Sequence, residues 1–97
     1  MIIAQLSIAP LGTGASVSKY VKIALDTLKK EQVTFQTNPM ATVIECKDLP
    51  TLFAVVTKAH QAVAAAGAPR IITELKIDDR RDKDATMTSK LKALQKT

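Results

Sequence analysis

Apolar residues recur along this chain with two different periods, and each period predicts one kind of element. Between Ile2 and Ala9, one side of the segment is apolar at every second position, as in a strand with one buried face. Pro10 and the glycine-rich turn that follows end this strand. From Val17 to Leu28 the apolar residues recur every three or four positions, which predicts an amphipathic helix over residues 16–31.

The second half of the chain repeats this order after an extra strand. Residues 33–37 and 42–47 predict two adjacent antiparallel strands, because Asn38-Pro39 interrupts the pattern between them. Asp48 is a typical N-cap for a second helix, Gly67 a typical residue just beyond its end, and residues 70–77 form a last strand. The sequence therefore predicts an α+β, ferredoxin-like βαββαβ fold with a four-stranded antiparallel sheet and two helices on one face.

The other face of this sheet, which no helix of the repeat covers, is predicted to carry mixed side chains. They are Ile3, Gln5, Ser7, Val43, Glu45, Ile72 and Glu74. Isoleucine and valine in such a set favour burial, so we expect a second copy of the chain to cover this face in a homodimer or homotetramer.

The C-terminal part is predicted to be separate from the repeat. Residues 1–84 form the ferredoxin-like domain, and residues 85–97 form a tail or a short helix, since Met87, Leu91 and Leu94 have helical spacing. The sequence leaves open whether this helix packs on its own domain or on a neighbour.

Composition excludes several classes of function. One cysteine and one histidine in 97 residues exclude an internal disulfide and clusters of Cys or His around a metal, and no cofactor is predicted. The net charge of +5 is spread over scattered lysines, and three aromatic residues are too few for base stacking, so we expect no nucleic-acid partner. No apolar run approaches the ~20 residues of a membrane span, and the N-terminus does not resemble a secretory signal, so we expect a cytoplasmic protein without a membrane partner.

Two places in the sequence carry candidate chemistry. The Gly12-Thr13-Gly14 turn precedes a helix, where hydroxyl groups can cap the helix or face a ligand. Glu45 is a lone carboxylate in a strand and needs a cation, donors or water, so it predicts either a salt bridge or a pocket for an amine-bearing molecule. His60 and Cys46 have no partners at useful spacing and are predicted to be structural.

Three stretches of the chain together resemble the MTH1187/YkoF-like thiamine-binding family of small UPF0045-type proteins. They are residues 3–21 with Pro10-Leu11-Gly12-Thr13, residues 38–45, and residues 69–83 with the run Ile77-Asp78-Asp79-Arg80-Arg81-Asp82-Lys83. The resemblance implies a ferredoxin-like fold, dimers formed sheet to sheet that assemble into tetramers, and binding of thiamine or its hydroxymethylpyrimidine moiety without catalysis. The pocket residues that it implies are Thr13, Ser16, Ser18, Asn38, Thr42 and Glu45.

Two other functions are kept as alternatives. A small enzyme would use Glu45 as a general base beside Ser7 or Ser16, although the sequence shows no second titrating group for it. An RNA or protein interaction module would use the lysines of the first helix.

Overall fold

The computed structural model describes residues 1–14 and 17–95, and within them it has four strands and three helices. The elements in chain order are β1 (Ile2–Leu11), α1 (Ser18–Lys30), β2 (Thr34–Thr37), β3 (Thr42–Cys46), α2 (Leu49–Ala65), β4 (Arg70–Asp78) and α3 (Met87–Gln95). The strands form one antiparallel sheet in the order β2-β3-β1-β4. The predicted ferredoxin-like fold is confirmed.

Strand β1 is longer than predicted, because it continues through Pro10 to Leu11. It pairs with β3 from Ile2 to Leu6, which lies opposite Thr42. It pairs with β4 over a longer range, from Ile3 to Leu11. Beyond Leu6 one edge of β1 is therefore free of ladder hydrogen bonds, and a proline without an N–H group is tolerated there.

The face of the sheet covered by α1 and α2 holds the hydrophobic core. Its largest fully buried side chains are Leu28, Ile44, Leu52 and Val63. Leu28 belongs to the apolar stripe of α1, Leu52 and Val63 belong to that of α2, and Ile44 lies on the helix-facing side of β3. The alternation of β3 thus gives one buried face and one open face, as the sequence predicted.

The two long helices begin differently. Asp48 is the N-cap of α2, as predicted, and its Oδ1 accepts the N–H of Thr51 at 2.8 Å. Helix α1 has Val17 at its N-cap position and no side-chain capping bond. Ser18 is the first residue of the helix and does not cap it, while Ser16, the other hydroxyl of the sequence that could cap α1, lies outside the described residues.

Helix α3 lies on the open face of the sheet and belongs to the same chain. Glu45 of β3 accepts the N–H of Met87 at 2.8 Å, at the start of α3. Thr86 and Ser89 form a reciprocal capping box, in which each hydroxyl accepts the other residue's N–H group at 3.0 and 2.8 Å. Ile3 is only 9% exposed, although it points to the open face. The C-terminal helix thus packs on its own domain, which the sequence had left undecided.

Two ion pairs also connect this C-terminal segment to the rest of the chain. The ammonium group of Lys90 pairs with the carboxylate of Asp78 at the end of β4. The N-terminal amine of Met1 pairs with Asp84 at 2.6 Å. None of the described helices is both long enough and apolar enough to cross a membrane.

Candidate functional site

A small cavity lies where the pairing of β1 with β3 stops, beside the turn between β2 and β3. We call it the loop-end cavity; its volume is about 120 Å³, and its lining residues are Leu6, Ser7, Ile8, Val21, and residues 37–42. A deeper void of about 30 Å³ shares Leu6, Ile8, Val21 and Thr42 with it and ends against Leu28 of α1. The opening exists because β1 extends past the end of β3 and leaves a gap under α1.

The polar groups of this cavity come from the strands and the turn. Thr42 is 8% exposed and is the one buried polar residue among those described. Thr37 and Asn38 add a hydroxyl group and an amide to the same lining, to which Ser7 also contributes although its side chain alternates toward the open face of the sheet. These groups donate and accept hydrogen bonds without carrying charge, so the cavity suits a neutral polar ring better than an ion.

The turn between β2 and β3 closes this cavity on the solvent side. The N–H of Asn38 donates to the carbonyl oxygen of Ala41 at 2.9 Å, which holds Pro39 and Met40 at the tip. Met40 is 89% exposed although it is apolar. A flexible thioether at the mouth of a cavity can cover an aromatic ligand.

Thr13 lies in the loop between β1 and α1, and its Oγ1 atom is buried with no hydrogen-bond partner among residues 1–14 and 17–95. A buried hydroxyl without a partner is costly, so it marks a place where a polar group of a ligand or a water molecule is expected. At the start of this loop the backbone passes close to Pro69, since Gly12 has φ +80° and a Cβ atom there would lie 2.9 Å from Cγ of Pro69. Of the other predicted residues near this loop, Ser18 is exposed at the start of α1, and Ser16 lies outside the described residues.

The structure does not bring Glu45 into the loop-end cavity. Thr42 faces the helices, and Glu45, three residues further along the same strand, faces the other side of the sheet. Its carboxylate accepts the N–H of Met87, forms no salt bridge with another described residue, and does not line this cavity. Because side chains alternate along a strand, Thr42 and Glu45 point to opposite faces of the sheet.

The register of the sheet also separates Glu45 from Ser7, which the enzyme hypothesis paired with it. Glu45 lies opposite Ile3 on β1, and Ser7 is four residues further along that strand. At roughly 3.3 Å per residue this is about 13 Å, too far for a general base to take the proton of that hydroxyl.

Two further concave regions surround α3, and sequence reasoning missed both of them. One, of about 280 Å³, lies between α3 and the open face, and its lining residues are Ile3, Gln36, Asn38, Val43, Met87, Lys90 and Leu91. The other, of about 440 Å³, is a wide groove between α3 and the segment 80–85. Neither was foreseen, because the docking position of α3 was not evident from its own sequence.

The remaining candidate groups have structural roles. Burial raises the pKa of the Cys46 thiol, and the nearby carboxylates of Asp48 and Glu45 raise it further, so the thiol is inert at neutral pH. Nδ1 of His60 and Oγ1 of Thr73 are 2.6 Å apart in a hydrogen bond that joins α2 to β4. Among the described residues, no group of three or more His, Cys, Asp or Glu side chains is arranged to hold a metal ion.

The charged segment after β4 forms local pairs. Arg80 pairs with Asp82 at 2.7 Å, and Arg81 pairs with Asp79 at 2.8 Å. All four residues lie on the surface, so this run is a solvated turn held by short-range ion pairs.

The βαββαβ sheet with two helices on one face places the chain among the small ferredoxin-like α+β proteins. The sequence model of one family, described as thiamine-binding protein, matches residues 4–95, so the chain belongs to this thiamine-binding protein family. The chain is 44% identical over 96 residues to a UPF0045 protein of Methanothermobacter thermautotrophicus, covering 98% of this chain and 97% of that one. It is 45% identical over 93 residues to the UPF0045 protein MJ1052 of Methanocaldococcus jannaschii, covering 96% and 91%.

Solved structures show the same architecture. The crystal structure of MJ1052 superposes with a TM-score of 0.89 at 44% identity, over 99% of this chain and 97% of that one. A Thermotoga maritima protein named for thiamine biosynthesis or salvage superposes with a TM-score of 0.82, over 96% and 97% of the two chains. That second pair is only 14% identical, so it demonstrates the shared fold alone.

Proposed function

We propose that this protein binds thiamine, or the hydroxymethylpyrimidine moiety of thiamine, in the loop-end cavity and does not catalyse a reaction. Membership of the thiamine-binding protein family supports the class of ligand. The observation that carries the proposal is the buried Thr42 in a cavity with a mixed polar and apolar lining, with Asn38 and Thr37 beside it. An aminopyrimidine has an amino donor and ring-nitrogen acceptors, which these hydroxyl and amide groups match.

The size of the cavity supports binding of one ring rather than of the whole thiamine molecule. Pockets for drug-sized ligands are roughly 300–1,000 Å³, whereas this cavity is about 120 Å³. In this proposal one ring enters, and it is the pyrimidine because its hydrogen-bonding groups match the cavity, which leaves the thiazolium outside, beside Met40 and Pro39. The Thr13 hydroxyl, which has no hydrogen-bond partner among the described residues, is a further donor for a ligand that extends toward the loop between β1 and α1.

Placing the cationic ring outside also resolves a conflict of charge. The chain carries a net charge of +5, which disfavours a buried cation. A solvent-facing thiazolium keeps its hydration and requires no acidic partner in the cavity. We further propose that the protein acts as a homo-oligomer in the cytoplasm, as the sequence predicts.

Isothermal titration calorimetry with thiamine, hydroxymethylpyrimidine and the isolated hydroxyethylthiazole tests this proposal. The pyrimidine alone should retain most of the binding free energy, and the thiazole alone should not bind measurably. Thr42→Val keeps the shape of the side chain and removes one hydroxyl, so binding should weaken about fivefold, as expected for one net hydrogen bond of about 1 kcal/mol.

Glu45→Ala is the matched control, because Glu45 lies on the same strand but faces the other side of the sheet. It should leave the dissociation constant unchanged. The proposal fails if millimolar ligand gives neither heat nor a thermal shift, or if Glu45→Ala weakens binding while Thr42→Val does not.

A further inference from the structure

The groove between α3 and the segment 80–85 is larger than the loop-end cavity, and the proposed thiamine site does not use it. Its volume is about 440 Å³, against about 120 Å³ for the loop-end cavity. Small-molecule sites have volumes of roughly 300–1,000 Å³, so this groove has the size of a ligand site. The groove and the loop-end cavity share no lining residue.

Three cationic side chains line this groove, and they come from both of its walls. Arg80 and Lys83 belong to the segment after β4, and Lys90 belongs to α3. One carboxylate, that of Asp84, lies among them, and it is paired with the N-terminal amine of Met1 at 2.6 Å. The lining therefore has an excess of positive charge, in a chain whose net charge is already +5.

The hydrogen-bonding capacity of these cations is only partly used within the protein. Arg80 donates to Asp82 through Nε and Nη2, which leaves Nη1 without a partner among the described residues. Lys90 donates to Asp78, although an ammonium group carries three donors. Lys83 forms no ion pair with any residue that the structure describes. An anion in the groove would thus accept from donors that the fold itself does not use.

The carboxylates that pair with two of these cations do not compete strongly with a further anion. Asp78 and Asp82 do not line the groove, and their side chains are 51% and 66% exposed. Ion pairs between exposed groups are weak, because water solvates both partners. Arg80 and Lys90 can therefore share their donors with an anion in the groove.

The remaining lining is largely apolar. Ala85 is only 5% exposed, and Ala93 and Leu94 of α3 add methyl groups to the same groove. Ser89 also lines it, but its hydroxyl already accepts the N–H of Thr86 and donates to the carbonyl oxygen of Thr86. The groove thus offers cationic donors and apolar contact side by side.

We propose that this groove binds a small organic anion, in which one anionic group is attached to an apolar body. The anionic group accepts hydrogen bonds from Lys83, Arg80 and Lys90, and the body lies against the alanine and leucine side chains of the lining. Charge-assisted hydrogen bonds orient the anionic end, and burial of the apolar body adds affinity. Such a ligand is opposite in charge to thiamine, so the two sites select different molecules.

Fluorescence titration with 8-anilinonaphthalene-1-sulfonate (ANS) and with N-phenyl-1-naphthylamine tests this proposal. The two probes have the same aromatic rings, but only ANS carries a sulfonate group, and the chain has no tryptophan to interfere. ANS should bind at least about tenfold more tightly than the neutral probe. Raising the salt concentration from about 50 mM to about 500 mM should weaken the binding of ANS severalfold, because salt screens the attraction.

Three variants distinguish the groove from a general attraction to a basic protein. Lys83→Glu reverses one charge of the groove, and Ala93→Glu places a carboxylate on its α3 wall; each should weaken the binding of ANS about tenfold. Both residues are exposed, so both variants should fold like wild type, as circular dichroism can verify. Lys22→Glu, on the exposed surface of α1, is the matched control, because it changes the net charge as Lys83→Glu does. It should bind ANS like wild type.

Proton–nitrogen correlation NMR spectra locate the bound probe. The amide shifts caused by ANS should be largest in residues 80–94 and small in residues 37–42, which line the loop-end cavity. Thr42→Val should leave the affinity for ANS unchanged, and saturating thiamine should not displace ANS.

The proposal is overturned by equal affinity for the two probes, by equal weakening in Lys83→Glu and Lys22→Glu, or by amide shifts that are largest outside residues 80–94. It does not depend on the proposed function, since the two sites share no lining residue. If ANS binds in the groove and thiamine gives neither heat nor a thermal shift, only the thiamine proposal fails. If thiamine binds and ANS does not discriminate between the variants, only the groove proposal fails.

Discussion

The two faces of the sheet are covered by helices of very different kinds. On one face α1 and α2, with 13 and 17 residues, bury a contiguous apolar core. On the other face α3, with nine residues and none of its side chains buried, is attached by a carboxylate at its N-terminus and by ion pairs. The first face is held together by burial of apolar area, whereas the second is held largely by polar contacts that water and protons compete for.

The largest expected effect comes from a pair of substitutions at neighbouring positions of β3. Ile44 is fully buried under the helices, so Ile44→Ala should destabilise the protein by about 2–5 kcal/mol. Val43 faces α3 and is half-buried, so Val43→Ala should cost about 1 kcal/mol. Urea unfolding followed by circular dichroism measures both. Equal costs would show that the face under α3 is packed as tightly as the core.

Substitution of the two glycines in the loop between β1 and α1 should give the next largest effect on stability. Gly12→Ala combines a positive φ with a Cβ atom 2.9 Å from the Pro69 ring, so we expect a loss of about 2–3 kcal/mol. Gly14 has φ +74° but open space around it, so Gly14→Ala should cost only about 1 kcal/mol. Thermal and urea unfolding distinguish the two; the contact with Pro69 would be unimportant if both variants lost the same stability.

The smallest effect should be seen on acidification, and it should be local to α3. The hydrogen bond from Lys90 lowers the pKa of Asp78, and the hydrogen bond from the N-terminal amine lowers the pKa of Asp84. Because both folded-state pKa values lie below the unfolded value of about 3.9, this stabilisation is fully present above about pH 4. It is lost as the pH falls through the folded-state values.

Amide hydrogen exchange measured by NMR can separate α3 from the core as the pH is lowered. After correction for the intrinsic pH dependence of exchange, the amides of residues 90–95 should lose protection below about pH 4 while those of residues 52–63 keep theirs. Asp78→Asn should show the loss for α3 already at neutral pH. Simultaneous loss of protection in both helices would mean that α3 is part of the same cooperative unit as the core.

Much of the fold was predictable because local signals and periodicity agreed. The N-cap at Asp48, the glycine beyond α2 and the alternation of β3 each have a mechanism that acts over a few residues. The extent of β1 was not predictable, because Pro10 is acceptable only where the neighbouring strand has already ended. The candidate site was predictable in part: Asn38 and Thr42 do line one cavity, while Glu45 lies on the other face.

The sequence by itself determined the order of elements and which side of each strand is apolar, since side-chain direction alternates within a strand and repeats every 3.6 residues in a helix. Only the tertiary structure decided that β1 extends beyond β3 and leaves a cavity, and that Glu45 accepts a hydrogen bond from the start of α3. It also decided that β4 lies at an edge of the sheet. These features depend on which distant segments lie side by side. Contacts between residues 42 positions apart, such as Glu45 with Met87, leave no periodic signal in the sequence.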